Sequence, residues 1–257
     1  MADYVITGAT SGIGLATRQT LEKQGHTVYN IDYKDGDFTA DLSRPEGRLA
    51  AVDAVKKAFP EGIDGFISNA GVGPLASAKM IFALNYFAGV QLAEGLRPLL
   101  AKKKGNCVFT ASNTVSQPSV RPDWVDMLTN TMDEERSLEI AADIPPELGA
   151  FAYASSKHAL ARWVRRVSGA WATEGMRVNA VDPGNTTTPM TQSMSPEQMD
   201  MALLIPIPTR YGTRTFLDAQ EIANGIVFLA SPQASGINGI ILFVDGGIDA
   251  LLRSERF

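Results

Sequence analysis

The sequence is poor in several features that point to particular classes of protein. It has one cysteine in 257 residues, so no disulfide can form within the chain. It has two histidines, His26 and His158, and neither has a partner at metal-ligand spacing. We therefore interpret both as structural and expect no metal site. The formal net charge of −5 argues against a nucleic-acid partner, which requires a basic surface.

The chain also lacks long apolar runs. None reaches membrane-spanning length, and the first residues, MADYVITG, enter a predicted strand at once and leave no room for a signal peptide. These features predict a soluble cytoplasmic protein without a membrane partner. Cys107 lies in the apolar run NCVFTAS, where a buried inert thiol is favoured over a nucleophile.

Short apolar runs alternate with helical segments along the chain. Runs that are apolar almost throughout are typical of strands covered on both faces. The predicted strands are 4–7, 27–31, 65–68, 107–110, 177–181 and 240–244. The predicted helices lie near 12–25, 46–58, 76–103, 151–174 and 218–230. This alternation predicts an α/β fold with a single domain over 1–257, built on a doubly wound parallel sheet with helices on both faces.

Two segments interrupt the alternation. The first, 115–150, is bounded by prolines and contains a candidate short helix in MDEERSLEIAA at 132–142. The second, 185–212, contains four methionines followed by LLIPI. Long excursions of this kind are usually functional lids or disordered segments. The methionine-rich segment is interpreted either as a flexible substrate lid or as an amphipathic helix packed on the domain, and the two are compatible.

A glycine-rich turn follows the first predicted strand. In TGATSGIG, the residues Gly8, Gly12 and Gly14 lie between a strand and a helix, where the backbone can approach a pyrophosphate. Asp32 closes the second strand, at the place where a dinucleotide site puts a carboxylate on the ribose 2′-hydroxyl. Because that carboxylate would repel a 2′-phosphate, NAD is favoured over NADP. The alternatives are that Asp32 is a turn residue, and that Lys34, otherwise a solvated surface lysine, softens the preference.

Six motifs occur in an order that resembles the short-chain dehydrogenase/reductase family. They are TGATSGIG, NAG at 69–71, Asn85 in an apolar helix, TAS at 110–112, Tyr153-x-x-x-Lys157 and PGNTTTP at 183–189. The resemblance covers essentially the whole chain and implies a Rossmann fold that binds a nicotinamide cofactor. The stretch between Ser112 and Tyr153 is much longer than in ordinary members of the family, and the chain ends in FVDGGIDALL and a short tail. Both features resemble the 3α-hydroxysteroid dehydrogenase/carbonyl reductase branch and its aryl-alcohol dehydrogenase relatives.

The resemblance implies catalytic roles. Tyr153 is the expected general acid/base on the substrate oxygen, and Lys157, one helical turn away, is expected to lower its pKa and to bind the nicotinamide ribose. Ser112 is expected to hydrogen-bond the substrate oxygen. The rival hydroxyls are Thr110, Ser155 and Ser156. Asn85 is either a satisfied core amide or, as the family implies, a residue that holds a water in a proton relay to the lysine.

The resemblance also assigns cofactor contacts. Asn69 is expected to brace the sheet near the adenosine, and Asp41 with Leu42 to contact adenine, although Asp41 alone could cap the next helix. Residues of the PGNTTTP motif are expected on the nicotinamide side. The full predicted set is Gly8, Ser11, Gly12, Ile13, Gly14, Asp32, Asp41, Leu42, Asn69, Ala70, Gly71, Tyr153, Lys157, Pro183, Gly184, Thr186 and Thr188.

The expected substrate is a small apolar alcohol or carbonyl compound. Pro118, Met190 and Met194 are predicted to contact it, although Pro118 and Trp124 could instead serve a subunit contact. The expected reaction interconverts a secondary alcohol and a ketone with NAD. The alternatives are an aryl-alcohol or cyclic-diol dehydrogenase, and an NAD-sensing protein without catalysis, which the complete catalytic set disfavours. Family members associate through the helices that hold Asn85 and Tyr153, so a homodimer is expected, with a tetramer as the alternative.

Overall fold

The fold is organised around one parallel sheet. The computed structural model describes residues 1–131, 133–213 and 215–256. The strands are β1 Asp3–Thr7, β2 Thr27–Asp32, β3 Phe38–Thr39, β4 Gly65–Ser68, β5 Asn106–Thr110, β6 Arg177–Pro183, β7 Thr186–Thr187, β8 Leu217–Asp218 and β9 Ile241–Val244. Within the described residues, seven strands form a parallel sheet in the order β3-β2-β1-β4-β5-β6-β9, and β7 pairs with β8.

Helices pack on both faces of the sheet. They are α1 Gly12–Lys23, α2 Pro45–Ala58, α3 Ala78–Phe82, α4 Gly89–Lys103, α5 Pro122–Asp126, α6 Glu134–Ala142, α7 Gly149–Ala172, α8 Pro189–Gln192, α9 Pro196–Ala202, α10 Ala219–Ala230 and α11 Ile248–Leu252. One face is covered by α1 and α10, and the other by α2, α4 and α7. The predicted α/β fold with a doubly wound parallel sheet is confirmed.

The central strands are apolar throughout because each of them faces two cores. Side chains alternate between the faces of a strand. Accordingly, Val5 and Phe66 belong to the core under α2, α4 and α7, whereas their neighbours Ile6 and Ile67 belong to the core under α1 and α10. All four side chains have no exposed surface. A strand buried in this way must be apolar at successive positions, which explains the continuous apolar runs in the sequence.

The predicted helix over 76–103 is not one regular α-helix. Between α3 and α4 the chain forms a π-helical segment, Ala83–Ala88, which contains Asn85. Short π-helical segments inside α-helices occur frequently at functional sites. Hydrophobic periodicity does not distinguish such a segment from regular α-helix. The boundaries of the other predicted strands and helices agree with the structure within two residues.

The 115–150 insertion packs on the domain. It contributes α5, a π-helical segment at Met127–Thr131, and α6. The helix predicted at 132–142 begins at Glu134 in the structure, and Met132 lies outside the described residues. The buried side chains of the insertion that join the core of α4 and α7 are Val125, Leu128 and Ala141. The insertion therefore covers the outer side of α3, the π-helical segment and α7.

A buried ion pair ties the insertion to the domain. Arg48 of α2 is 2% exposed and donates from Nη2 to Oε1 of Glu134 in α6 at 2.6 Å. Gln91 of α4 donates to the other carboxylate oxygen of Glu134 at 2.8 Å. One carboxylate thus joins three helices.

Among the described residues, every helix is too short or too polar to span a bilayer.

Candidate active site

A cleft of about 780 Å³ lies along the carboxyl edge of the parallel sheet. Its walls are the loops that follow β1, β2, β4, β5 and β6, together with residues of α7 and α8. The strand order runs outward in opposite directions from β1 and β4, and such a switch point is where doubly wound sheets bind ligands. The fold therefore brings segments distant in sequence to one cleft.

Nearly all the predicted cofactor residues line this cleft. Gly14 is the exception among them, and of the predicted catalytic and substrate residues Asn85 and Pro118 do not line it. Gly14 is nevertheless required by the fold, because a Cβ there would overlap the carbonyl oxygen of Gly8. It lets α1 approach the first loop closely.

The glycine-rich turn leaves the N-terminus of α1 available to an anion. Gly8 and Gly12 have φ values of +73° and +54°, in the left-handed region that favours glycine. Ser11 is the N-cap residue of α1, but its side chain makes no capping hydrogen bond. The amides of the first turn therefore lack the usual side-chain partner and are directed toward the cleft end of the helix. This arrangement fits the pyrophosphate of a dinucleotide.

Asp32 lies at the end of β2, as predicted, with its carboxylate on the cleft wall. Its Oδ2 accepts hydrogen bonds from the amide and the hydroxyl of Thr10 at 3.1 and 2.9 Å. Its Oδ1 accepts one from the Tyr33 amide at 2.7 Å and a long one from the Lys34 amide at 3.5 Å. Because the bond from Lys34 is long, a ribose hydroxyl would take its place on Oδ1 at little cost. The position of Asp32 fits the predicted role.

Asp41 closes a local turn and does not cap the next helix. Its Oδ1 accepts from the hydroxyl and the amide of Ser43 at 2.6 and 3.0 Å, and its Oδ2 pairs with Nε of Arg44 at 3.3 Å. The N-cap of α2 is Arg44, so the helix-capping alternative for Asp41 is wrong. The Ser43 hydroxyl, with help from its amide and Arg44, lowers the pKa of Asp41 below its ordinary value. Leu42 is buried beside it and lines the cleft.

Asn69 braces three neighbouring strands at the edge of the cleft. Its Nδ2 donates to the Gly8 carbonyl at 3.0 Å, and its Oδ1 accepts from the Thr110 hydroxyl at 3.2 Å. The hydroxyl of Thr7, a residue that sequence reasoning missed, accepts from the amides of Asn69 and Ala70 at 3.0 and 3.1 Å. The available signal was a polar residue at the end of an apolar strand.

Tyr153 and Lys157 lie on the same side of α7, as their spacing predicts. The Lys157 Nζ is 5.8 Å from the centroid of the Tyr153 ring and donates to the Thr110 carbonyl at 2.8 Å. Lys157 is only 5% exposed. Its ammonium therefore lies over the face of the ring while it anchors α7 to the end of β5.

Burial has the largest effect on the pKa values of this pair. Burial raises the pKa of Tyr153, the Ser112 hydroxyl opposes this change, and Asp182 adds to it. Desolvation of the phenolate is thus the largest effect on Tyr153 in the protein alone, and the lowering of its pKa expected from Lys157 together with the positive nicotinamide ring of bound NAD stays a prediction. Burial also lowers the pKa of Lys157 to about 8, although Asp182 raises it in part.

Ser112 is the hydroxyl best placed to contact a substrate. It follows β5, is buried in the cleft wall and accepts from the Thr114 amide at 3.3 Å. The rival hydroxyls are all engaged elsewhere. Thr110 donates to Asn69, Ser155 accepts from the Arg121 amide, and Ser156 donates to the Tyr153 carbonyl. The prediction of Ser112 over these residues fits the geometry.

Asn85 holds the loop after β4. Its Oδ1 accepts from the Val72 amide at 2.8 Å, and its Nδ2 donates to the Val72 carbonyl at 3.0 Å. A Cβ at Gly71 would lie 2.9 Å from the same Oδ1, so Gly71 permits the close approach. The side chain is thus a satisfied amide that shapes the cleft wall from behind. Its predicted role in a water relay stays a prediction.

The expected substrate end of the cleft is only partly as predicted. Met190 and Met194 line it, but Pro118 is exposed outside it, and its neighbours Gln117 and Ser119 form the wall. The chain turns at this point so that the proline ring faces solvent. Trp124 is partly buried, packs against the core with its ring centroid 6.1 Å from that of Phe82, and forms no part of this wall. Apolar lining comes from Val72, Pro74, Met80 and Leu84.

The 185–212 segment contains both packed and exposed apolar residues. Met199 and Leu203 pack on the core under α1 and α10, whereas Met201 and Leu204 are 70% and 76% exposed. The segment forms α8 and α9 next to the cleft. An amphipathic helix packed on the domain therefore describes α9, and the proposed lid function rests on its position.

The cysteine and the histidines lie away from the cleft. Cys107 is fully buried, and burial holds its pKa well above the ordinary value, so it is a thiol. His26 Nδ1 accepts from the Ala2 amide at 3.2 Å, and His158 Nδ1 lies 2.7 Å from the Val115 carbonyl. Among the residues that the structure describes, no three His, Cys, Asp or Glu side chains are grouped to hold a metal ion.

Comparison with known proteins agrees with this architecture. A family described as short chain dehydrogenase matches residues 4–121, and one described as Enoyl-(Acyl carrier protein) reductase matches residues 141–249. The 3-alpha-hydroxysteroid dehydrogenase/carbonyl reductase of Comamonas testosteroni is 33% identical over the full length of both chains. The coniferyl-alcohol dehydrogenase of a Pseudomonas species is 28% identical over 95% of both.

A solved structure is also similar over the full length. The crystal structure of the 3-alpha-hydroxysteroid dehydrogenase from Pseudomonas sp. B-0831, complexed with NADH, is 37% identical. It covers all of both chains with a TM-score of 0.91. Similarity over the complete length, together with the cleft and its tyrosine–lysine pair, shows that the chain belongs to the short-chain dehydrogenase/reductase family of oxidoreductases.

Proposed function

We propose that this protein is an NAD-dependent oxidoreductase that interconverts an apolar secondary alcohol and its ketone. One observation carries the proposal. Ser112, Tyr153 and Lys157 converge in the same cleft that holds the glycine-rich turn and Asp32. A dinucleotide that extends from that turn reaches the catalytic group. The full-length similarity to a 3-alpha-hydroxysteroid dehydrogenase/carbonyl reductase supports this substrate class.

The cofactor site fits NAD better than NADP. The uncapped N-terminus of α1 suits the pyrophosphate, and Asp32 would accept from a ribose 2′-hydroxyl and repel a 2′-phosphate. Lys34 points its ammonium to the ring of Tyr33, 6.0 Å from the centroid, and is exposed. When bound, the oxidised cofactor supplies a hydride acceptor and a positive charge.

The residues of this chain would bind the substrate, orient it and exchange a proton with it. Ser112 donates to the substrate oxygen and holds it beside the Tyr153 hydroxyl. Tyr153 accepts the hydroxyl proton in alcohol oxidation and returns it in ketone reduction. Because burial raises the pKa of Tyr153, the phenolate needs nearby positive charge, which the Lys157 ammonium supplies. Lys157 has two further protons for ribose hydroxyls besides the one it gives Thr110.

The substrate wall supports an apolar compound without identifying it. Methionine side chains adapt to irregular apolar shapes, and Met80, Met190 and Met194 all line the cleft. The second candidate is an aryl-alcohol or cyclic-diol dehydrogenase, which the similarity to a coniferyl-alcohol dehydrogenase favours. An NAD-sensing protein without catalysis is disfavoured, because the catalytic side chains are all present and converge.

We propose a homodimer as the assembly, with a tetramer as the alternative. The insertion lies over α3 and α7, so it obstructs the helical face through which relatives are expected to associate. The exposed apolar side chain of Ile240 directly precedes the edge strand β9 and offers a different contact face. Light scattering after size-exclusion chromatography would measure the assembly.

The function is tested with a panel of substrates. Hydroxysteroids, aryl alcohols and small cyclic alcohols are each incubated with NAD or NADP, and the reduced cofactor is followed by its absorbance. We expect the highest kcat/KM with NAD and an apolar secondary alcohol. A preference for aryl alcohols would favour the second candidate. Absence of turnover with every class, in both directions, would favour the sensing protein.

The catalytic assignment is tested with Tyr153→Phe. This variant keeps the ring but loses the hydroxyl, so it should bind the cofactor with unchanged affinity and lose at least about 100-fold in kcat. Cofactor affinity is measured by calorimetry. Turnover equal to that of the wild type would remove Tyr153 from the mechanism.

A further inference from the structure

Asp182 is a buried acid that no motif of the sequence analysis singled out. It lies near the carboxyl end of β6, directly before Pro183 of the cleft wall, and has no exposed surface. Neither of its carboxyl oxygens has a partner in good hydrogen-bonding geometry among the described residues. Buried polar groups are normally paired, so an unpaired carboxyl requires an explanation.

The sheet register directs Asp182 toward the catalytic helix. Thr110 at the end of β5 pairs with Val181, so Asp182 lies one position beyond, beside the start of the Ser112 loop. Val181 faces the core under α1 and α10, and Ala180 faces the core under α7. Because side chains alternate along a strand, Asp182 faces the α7 side, where Lys157 and Tyr153 lie.

Several ionisable groups and one backbone amide face Asp182. They are Lys157 and Tyr153 of α7, the Ser112 amide after β5, Asp245 after β9, and Asp249 of α11, which is itself paired with Arg253. Burial holds the pKa of Asp182 well above its ordinary value, while Lys157 and the nearby Ser112 amide act in the opposite direction and Asp249 and Asp245 add to the rise. The Asp182 carboxyl and the Lys157 ammonium therefore titrate as a coupled pair, and each apparent pKa belongs to the pair and not to one residue.

We propose that Asp182 is a positioning residue that sets, from beneath the cleft, the charge of the Tyr153–Lys157 pair and hence the pH range in which the pair works. It acts through these two residues and does not itself contact the substrate. The kinetic part of this proposal rests on the proposed function. The titration of Tyr153 in the protein without cofactor does not depend on the proposed function.

The direction of the effect follows from the charges. Burial favours the neutral acid at Asp182, whereas the Lys157 ammonium and the Ser112 amide favour its carboxylate, and we assign the proton of this coupled pair to Lys157. The negative charge then left on Asp182 raises the pKa of Lys157, because it favours the ammonium, and raises the pKa of Tyr153, because it disfavours the phenolate. In alcohol oxidation, activity rises with pH as Tyr153 loses its proton and falls as Lys157 loses its own. Removal of the Asp182 carboxyl should therefore move both limbs of the pH profile to lower pH.

The kinetic test uses Asp182→Asn, which keeps the shape of the side chain and is permanently neutral. The pH dependence of kcat/KM is measured for an accepted alcohol with saturating NAD. We expect both limbs to move to lower pH together, and each pH unit of displacement changes the rate on a limb about tenfold. Unmoved limbs with a lower plateau would show a packing role only and overturn the proposal. Limbs that move in opposite directions would also overturn it.

The second test needs neither cofactor nor substrate. The protein is labelled with ¹³C at the Cζ of tyrosine, Tyr153 is assigned by comparison with Tyr153→Phe, and its titration is followed by NMR. In Asp182→Asn, Tyr153 should titrate at lower pH than in the wild type. An unchanged titration overturns the proposal, whatever the enzyme acts on. If Tyr153 titrates at lower pH in Asp182→Asn but no substrate is turned over, the result counts against the proposed function alone.

Two variants control for folding and for net charge. Asp182→Ala also removes the carboxyl and, unlike Asp182→Asn, leaves no unpaired buried amide, so it should shift Tyr153 in the same direction and it replaces Asp182→Asn if that variant does not fold. Asp53→Asn removes one charge from an exposed position on α2 and should leave the titration of Tyr153 unchanged. A shift of equal size in Asp53→Asn would overturn the proposal.

Discussion

Lys157 shows what sequence spacing predicts and what it leaves open. Four-residue spacing placed it on the same side of α7 as Tyr153, and the structure agrees. The pKa values of both residues depend instead on burial and on Asp182, which lies in β6, the strand that follows α7. No local pattern around a tyrosine reports how much water surrounds its hydroxyl.

Asn85 gives a prediction that separates its two interpretations. Asn85→Ala removes both hydrogen bonds to the Val72 backbone, so the loop after β4 should lose its fixed position. We expect the free energy of unfolding to fall by about 1–3 kcal/mol, measured by urea denaturation, because buried partners are left unpaired. Weaker cofactor binding should accompany this loss.

Tyr153→Phe is the control for Asn85→Ala, because it reduces turnover without disturbing the Val72 loop. If Asn85 served only to hold a water in a proton relay, Asn85→Ala would lower kcat and leave both stability and cofactor affinity unchanged. That result would contradict the bracing role.

At the scale of elements, regular strands and long helices were predictable, and most of the short or irregular ones were not. The interiors of β1, β4 and β5 are continuously apolar because both faces are buried, which makes their pattern unambiguous. β3 has two residues, too few for any period to be visible. α5 begins at a proline inside a segment whose sequence indicates a lid or a disordered segment, whereas α9 agrees with the helical interpretation of 185–212.

The insertion illustrates the same limit. Its composition is polar and it is bounded by prolines, which is typical of a lid or a disordered segment. It is held to the domain by contacts with α2, α3, α4 and α7, and these depend on partners far away in sequence. The buried Arg48–Glu134 pair connects residues 86 positions apart.

Removal of one partner from this ion pair should be strongly destabilising. Glu134→Ala leaves the Arg48 guanidinium buried, and its Nε and Nη1 already have no partner among the described residues. We expect a loss of about 3–5 kcal/mol in the free energy of unfolding, measured by urea denaturation. The neighbouring Glu135→Ala removes an exposed charge of the same helix and should change stability by less than about 0.5 kcal/mol. Equal effects of the two variants would show that the buried pair does not anchor the insertion.

At the scale of the whole molecule, the cleft joins segments from both halves of the chain. Gly8, Asp32 and Asn69 come from the first half, whereas Tyr153 and Pro183 come from the second. A ligand that spans the cleft contacts all of these segments only when the complete fold is present. Its binding free energy is therefore added to the free energy of unfolding.

This linkage allows the cofactor preference to be measured without a substrate. NAD at 100 times its Kd should stabilise the protein by about 2.7 kcal/mol, which corresponds to a rise in Tm of roughly 5 to 10 °C for a chain of this size. NADP at the same concentration should give a smaller rise, because the Asp32 carboxylate on the cleft wall repels its 2′-phosphate. Asp32→Asn should narrow the difference between the two cofactors. Asp35→Asn is the matched control, because it removes an equal charge from the same exposed loop. Asparagine tolerates the left-handed backbone of Asp35, so this variant should keep the wild-type preference for NAD over NADP. If NADP stabilises the wild type as much as NAD does, Asp32 does not select the cofactor.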